Sequence, residues 1–300
     1  MQCSQFLKVM LLGSLVFVFS PSYAFNNVAY VETNDNALSN VACFVQTQKS
    51  QDGKTSYTTP FFNEAVIFAA NIHGSDPNNP SVYLNKQDDA LLNDTTQVAT
   101  LQSKGIKVLA ALLGDHENSG WSCMTDANDA KVFADKIADF VQKYHLDGIA
   151  IDDEYSTCTK NDTSMIMIVQ ALKQNPKFTG KVIQKVLLWD KGLFATTYGQ
   201  YNVKLADFLD SATPGYYPGD NSAIEPYTNY GMSQNDLYAS VSTTYTDSVS
   251  AASVAKNAIQ QGYGGLMVFN LTANSTDYVK SLAKAEYGSD NISVTPNCLK

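Results

Sequence analysis

Two rhythms of apolar and polar positions alternate along the chain. Short, nearly continuous apolar runs recur at Asn27–Glu32 (NVAYVE), Ala65–Ile72 (AVIFAANI), Ile106–Leu113 (IKVLAALL), Leu146–Glu154, Val182–Trp189 and Gly264–Leu271 (GGLMVFNL), with weaker runs at Ser211–Tyr217 and Tyr238–Thr244. Runs this short and this apolar predict strands covered on both faces. Between them lie stretches of helical period. The clearest places Phe133, Ile137, Phe140, Val141 and Tyr144 on one stripe behind a cap at Thr125 or Asp126. Further helices are predicted over Ala37–Gln46, over Asp88–Ser103 with Gly105 as its stop, and from Asn161-Asp162 to Gln174 before Pro176. Two more run over Ser248–Gln261 before Gly262 and over Ser275–Tyr287. Strands alternating with helices predict an α/β protein built of parallel β/α units, and right-handed crossovers would close them into a single (β/α)8 TIM-type barrel. A doubly wound open sheet is the alternative, weakened because no G-x-G-x-x-G follows the first strand.

Composition narrows the class. The chain has 300 residues, 44% hydrophobic and 16% charged, which suits one large globular domain over residues 25–300. Net charge is -9 and no run of Lys and Arg could track phosphates, so nucleic acid and anionic membranes are excluded as expected partners. Residues 1–24 read as a secretory signal peptide: Lys8, an apolar segment from Val9 to Phe19, then Ser22-Tyr23-Ala24 as a small-x-small cleavage site. The expected product is a secreted or periplasmic monomer without a membrane anchor. Signal removal takes Cys3 and leaves Cys43, Cys123, Cys158 and Cys298. Four cysteines in an oxidising compartment predict two disulfides in one of three connectivities, and Cys123 with Cys158 is the expected pair. No metal motif and no cofactor motif is present, so neither is expected.

The chemistry is concentrated in Tyr144–Tyr155, YHLDGIAIDDEY. An apolar strand here ends in three acids. Alternation on a strand puts Asp152 and Glu154 on one face and Asp153 on the other, the first two about 6.6 Å apart along the backbone. Two carboxylates that close repel, so one proton is retained between them. Such a pair is the usual equipment for glycosidic cleavage, although helix caps, calcium sites and solvated loops use similar clusters.

The segment Asp147–Glu154 resembles the D-G-x-D-x-D-x-E signature of family 18 glycoside hydrolases, and the D-D-E-Y ending is most similar to the Endo H type endo-β-N-acetylglucosaminidases within that family. Val28–Glu32, Val66–Ile72, Gly105–Leu109 and Gly262–Gly264 agree with the same family, so the likeness spans nearly the whole mature chain. The resemblance implies a barrel with the motif on its fourth strand and, as partners, N-glycans on glycoproteins or other GlcNAc-containing oligosaccharides. It implies that Glu154 is the general acid at a GlcNAcβ1-4GlcNAc linkage and that Asp152 orients the substrate's own N-acetyl group for attack on the anomeric carbon, the substrate-assisted route. It also implies that Tyr216 or Tyr217 contacts the acetamido oxygen and that Asn270 touches a sugar. One position departs from the pattern: the family's middle acid is Ala150 here. A chitinase acting on chito-oligosaccharides and a non-catalytic, lectin-like barrel are the competing readings.

The remaining candidates carry plainer expectations. Asp147 is expected to bond local amides and Asp153 to support the site from the helix side. Asp115 and His116 sit at the expected mouth, where sugar contact and loop polarity weigh equally for both. His73 and His145 are expected to be structural, and Trp121, Trp189 and the Tyr83 region to be core aromatics rather than platforms for sugar stacking, the alternative open to them.

Overall fold

The computed structural model describes residues 25–49, 54–288 and 292–300. The expected signal peptide lies outside the described residues. Eight parallel strands form the barrel: Asn26–Glu32 (β1), Glu64–His73 (β2), Lys107–Gly114 (β3), Gly148–Ile151 (β4), Val182–Leu187 (β5), Ser211–Pro214 (β6), Tyr238–Ser242 (β7) and Gly265–Phe269 (β8). Their spatial order is β7-β8-β1-β2-β3-β4-β5-β6. A parallel bridge between Ala212 and Leu237 joins β6 to β7, so the seam is narrow and the sheet closes on itself. The barrel expectation holds and the open sheet is excluded.

Alternation sorts the strand residues into two cores. Val28, Tyr30, Val66, Leu109, Ala111, Ala150, Val186 and Met267 fill the barrel interior. Ile149, Ile151, Ile183 and Val268 face the other way and share a cluster with the helices, including Phe133, Ile137 and Val141 of the helix Ala127–Lys143. Each such side chain, fully buried, contributes roughly 1.5–3 kcal/mol of transfer free energy. Asp126 caps that helix by accepting from the amides of Asn128 and Asp129. At its far end the chain turns through Tyr144 and re-enters the sheet as β4.

Local sequence explains where the structure departs from expectation. Ala37–Gln46 is not a helix: a 3-10 turn over Leu38–Cys43 runs into a strand, Phe44–Lys49, whose Phe44, Val45 and Thr47 favour extended backbone. That strand joins Ser56–Pro60 and Ile292–Val294 in a separate antiparallel sheet. The helix expected over Asp88–Ser103 divides into Lys86–Asn93 and Thr96–Ser103, because the Asp94 carboxylate accepts from the amide and hydroxyl of Thr96 and restarts the chain there. Among the described residues two disulfides are present, Cys123–Cys158 as expected and Cys43–Cys298.

Candidate active site

The motif is built around close approaches that only glycine permits. A Cβ on Gly148, at the start of β4, would lie 2.1 Å from the Val182 carbonyl oxygen of β5. A Cβ on Gly114, at the end of β3, would lie 2.6 Å from the Glu154 carbonyl oxygen, the atom that accepts the Gly114 amide at 2.9 Å. The ladder ends at Ile151, three residues earlier than expected, because the chain beyond turns away from β5 while β3 still holds it. The Asp152 amide donates to Leu112, Gly114 donates to Glu154 and His116 donates to Tyr155. The acids therefore stand on a backbone fixed along one edge. Across the same gap the Cys123–Cys158 disulfide ties the loop after β3 to the loop after β4.

Asp152 and Glu154 line one cavity of about 290 Å³ at the mouth of the barrel, together with Tyr30, Glu32, Phe68, Tyr155, Tyr217 and Phe269. Asp152 is 3% exposed, and its Oδ1 has no hydrogen-bond partner among the described residues. Burial, followed by the charge of Glu154, pushes its carboxyl up from the usual carboxylate range to about 7, against the opposing pull of Lys185. Lys185 is itself fully buried and paired with Asp190 at 2.8 Å. The resemblance makes Glu154 the proton donor; burial raises the Asp152 carboxyl beside it.

Asp153 points the opposite way, as strand alternation requires, and accepts the Ser122 hydroxyl at 2.5 Å beside the disulfide. Asp147 lies at the other end of β4, away from the cavity, where it accepts the Val108 amide at 2.8 Å and the Gln102 side chain at 2.9 Å. Below Asp152, Ala150 pairs with Ala111 and Gln184 of the flanking strands. Tyr30 donates to Gln184 at 2.7 Å, and Gln184 donates to Ser211 at 3.1 Å. The space where the family pattern has an acid is thus floored by an uncharged, hydrogen-bonded network.

The two adjacent tyrosines separate cleanly. Tyr217 lines the cavity, its ring parallel to Phe269 at 5.7 Å, and burial followed by the charges of Asp152 and Glu154 pushes its hydroxyl far up, so it remains a donor. Tyr216 turns outward onto Trp189. Asn270 does not line the cavity; its amide accepts from the Glu32 backbone at 2.9 Å and donates to the Glu32 carboxylate at 3.0 Å. Its contribution is to fix Glu32, a cavity carboxylate that strand patterning did not single out. Asp115 is engaged by His73 Nδ1 at 2.8 Å, and that hydrogen bond raises the imidazole above its ordinary value. His73 is thus half-exposed and hydrogen-bonded to Asp115 at the rim. Trp121 is buried as expected, whereas Trp189 is 71% exposed, because the strand ends at Leu187 and the chain has left the core by residue 189. Tyr30, Phe68 and Phe269 escaped the sequence reading, although each falls on the inward phase of its strand next to an acid or a tyrosine.

Comparison with known proteins agrees with this geometry. The family model for glycosyl hydrolases family 18 matches residues 40–192. An endo-β-N-acetylglucosaminidase of Flavobacterium sp. (strain SK1022) is 31% identical over 271 residues, covering 87% of this chain and 80% of that protein. Endo-β-N-acetylglucosaminidase F1 of Elizabethkingia meningoseptica is 27% identical over 283 residues, covering 87% and 78%. The crystal structure of Bacteroides thetaiotamicron EndoBT-3987 with Man5GlcNAc product superposes with a TM-score of 0.72 at 23% identity, over 92% of this chain. This chain covers 63% of that one, less than two thirds of its length. A family 18 chitinase catalytic domain from a fern superposes less closely, with a TM-score of 0.59 at 17% identity. With the acid pair just past the end of the fourth strand of a closed barrel and these matches along its length, the chain belongs to family 18 of the glycosyl hydrolases.

Proposed function

We propose that the protein is an endo-β-N-acetylglucosaminidase that hydrolyses the GlcNAcβ1-4GlcNAc core of N-linked glycans and leaves one GlcNAc on the polypeptide. The observation that carries this is the convergence of Asp152, Glu154 and Tyr217 on one small cavity, with Asp152 buried and an oxygen uncommitted. An acetamido group entering there brings an N–H toward Asp152 and a carbonyl oxygen toward the Tyr217 hydroxyl. The N–H stabilises the ionised form of Asp152, which releases its proton within the acid pair. Glu154 then protonates the leaving glycosidic oxygen while the acetamido oxygen attacks the anomeric carbon, and the oxazolinium ion formed is stabilised by the Asp152 carboxylate. Water, deprotonated by Glu154, opens it with net retention. Nothing in this sequence uses an acid at position 150, so the uncharged floor is compatible with turnover.

The family 18 relatives named as endo-β-N-acetylglucosaminidases support the same substrate class. Export with removal of residues 1–24, and action as a monomer, belong to the same reading. To test it, the mature protein is incubated with a high-mannose glycoprotein and, separately, with chito-oligosaccharide, and the peptides are weighed by mass spectrometry. Retention of one GlcNAc per site is expected. Cleavage of chito-oligosaccharide alone would make the protein a chitinase, and cleavage of neither across the pH range would make it a binding protein.

A further inference from the structure

The cavity of about 290 Å³ is at the small end of the roughly 300–1,000 Å³ typical of ligand pockets. An oligosaccharide of several rings must leave most of its length on the rim. Two cavity residues, Leu188 and Tyr217, have immediate chain neighbours that turn outward, Trp189 and Tyr216. The outward pair stacks face to face, ring centroids 4.1 Å apart and planes within 9°. Tyr216 covers one face of the indole, and at 71% exposure the other is open to solvent. Leaving so large an apolar ring in water forfeits the stabilisation its burial would give. Trp189 also sits at φ +65°, a left-handed conformation that an L side chain adopts only under strain. Packing accounts for neither feature.

The geometry points to the open face of Trp189 as a sugar-stacking platform, binding one pyranose ring of the substrate next to the ring held in the cavity. The inference rests on the endoglycosidase reading and adds a specificity residue to it. The C–H face of a pyranose is apolar and flat enough to cover an indole, and Tyr216 holds that indole in place before the sugar arrives, which lowers the ordering cost of binding.

The chain has two tryptophans, and Trp121 is fully buried, its Nε1 donating to the Leu112 carbonyl. Iodide-quenchable fluorescence therefore reports Trp189. The full-length Glu154→Gln protein is titrated with a high-mannose glycopeptide, binding being followed in parallel by calorimetry. The expected result is loss of iodide quenching as binding saturates. In the otherwise native enzyme, Trp189→Gly suits the left-handed backbone, so Tm holds or rises while KM for the glycopeptide increases roughly three- to tenfold with little change in kcat. Trp189→Phe recovers most of that loss. Calorimetric binding with quenching unchanged, or a glycine variant with native KM, overturns the platform and leaves the endoglycosidase reading standing. No calorimetric binding at all overturns both.

Discussion

At the mouth of the barrel the Asp152 carboxyl is raised to about 7, and where the last helix, Thr276–Tyr287, meets the start of β1 the Glu286 carboxyl is raised to about 8. In both the first cause is burial, and in both one carboxyl oxygen is enclosed without a hydrogen-bond partner among the described residues. Their company differs. Glu286 receives the Asn27 side chain at 2.8 Å, a donor that lowers it. Asp152 faces a second acid, a tyrosine and open space. A raised carboxyl therefore records desolvation and little else. What distinguishes a site is that several such groups address the same empty volume.

The sharpest way to break that contrast is Glu154→Gln, which removes the transferable proton and keeps the shape. Turnover of a glycopeptide is expected to fall by about 10³-fold, within the range for loss of a general acid; residual activity near the native rate would reassign the acid. Next comes Asp152→Asn, expected to cost about 10²-fold through kcat. Its comparison with Glu286→Gln is the direct one. A carboxyl raised in the fold contributes stability that is complete below its ordinary range and lost as pH climbs to the raised value. Native stability should therefore fall between about pH 4 and 8, on the order of a few kcal/mol for each group. Each amide variant should flatten its share of that fall in urea titrations at pH 4, 6 and 8. Only Asp152→Asn should lose activity; an inactive, folded Glu286→Gln would show that the two ends are coupled. The smallest effect is expected for Tyr217→Phe, about tenfold in kcat, the scale of one hydrogen bond. Tyr216→Phe serves as its control, because the Tyr216 ring lies outside the cavity and phenylalanine keeps the ring that stacks on Trp189.

Much of this was legible in the residues. The strand runs carried the barrel, because burial on both faces leaves a dense apolar signature, and period-two alternation separated Asp152 and Glu154 from Asp153 before any coordinates. The choice between Tyr216 and Tyr217 was left open, although the phase of Ser211, which meets Gln184 inside the barrel, continues through Gly215 to Tyr217, both of which line the cavity. Asn270 and Glu32 meet across 238 positions of sequence, and local pattern carries no trace of such a partner. Trp189 was misjudged because its apolar character resembles that of the strand it follows. The helix expected over Ala37–Gln46 failed where extended-favouring residues and a partner strand outweighed weak helical periodicity.

The bond between Cys43 and Cys298 spans 255 positions and encloses all of the barrel except β1. In covalent terms the catalytic body is close to a circle. A protease that cuts any loop between those cysteines opens the ring without freeing a fragment, and β1 stays tethered through Cys43 to whatever lies on either side of the cut. For a hydrolase expected to work outside the cell, a nick there is a change of connectivity rather than a loss of parts.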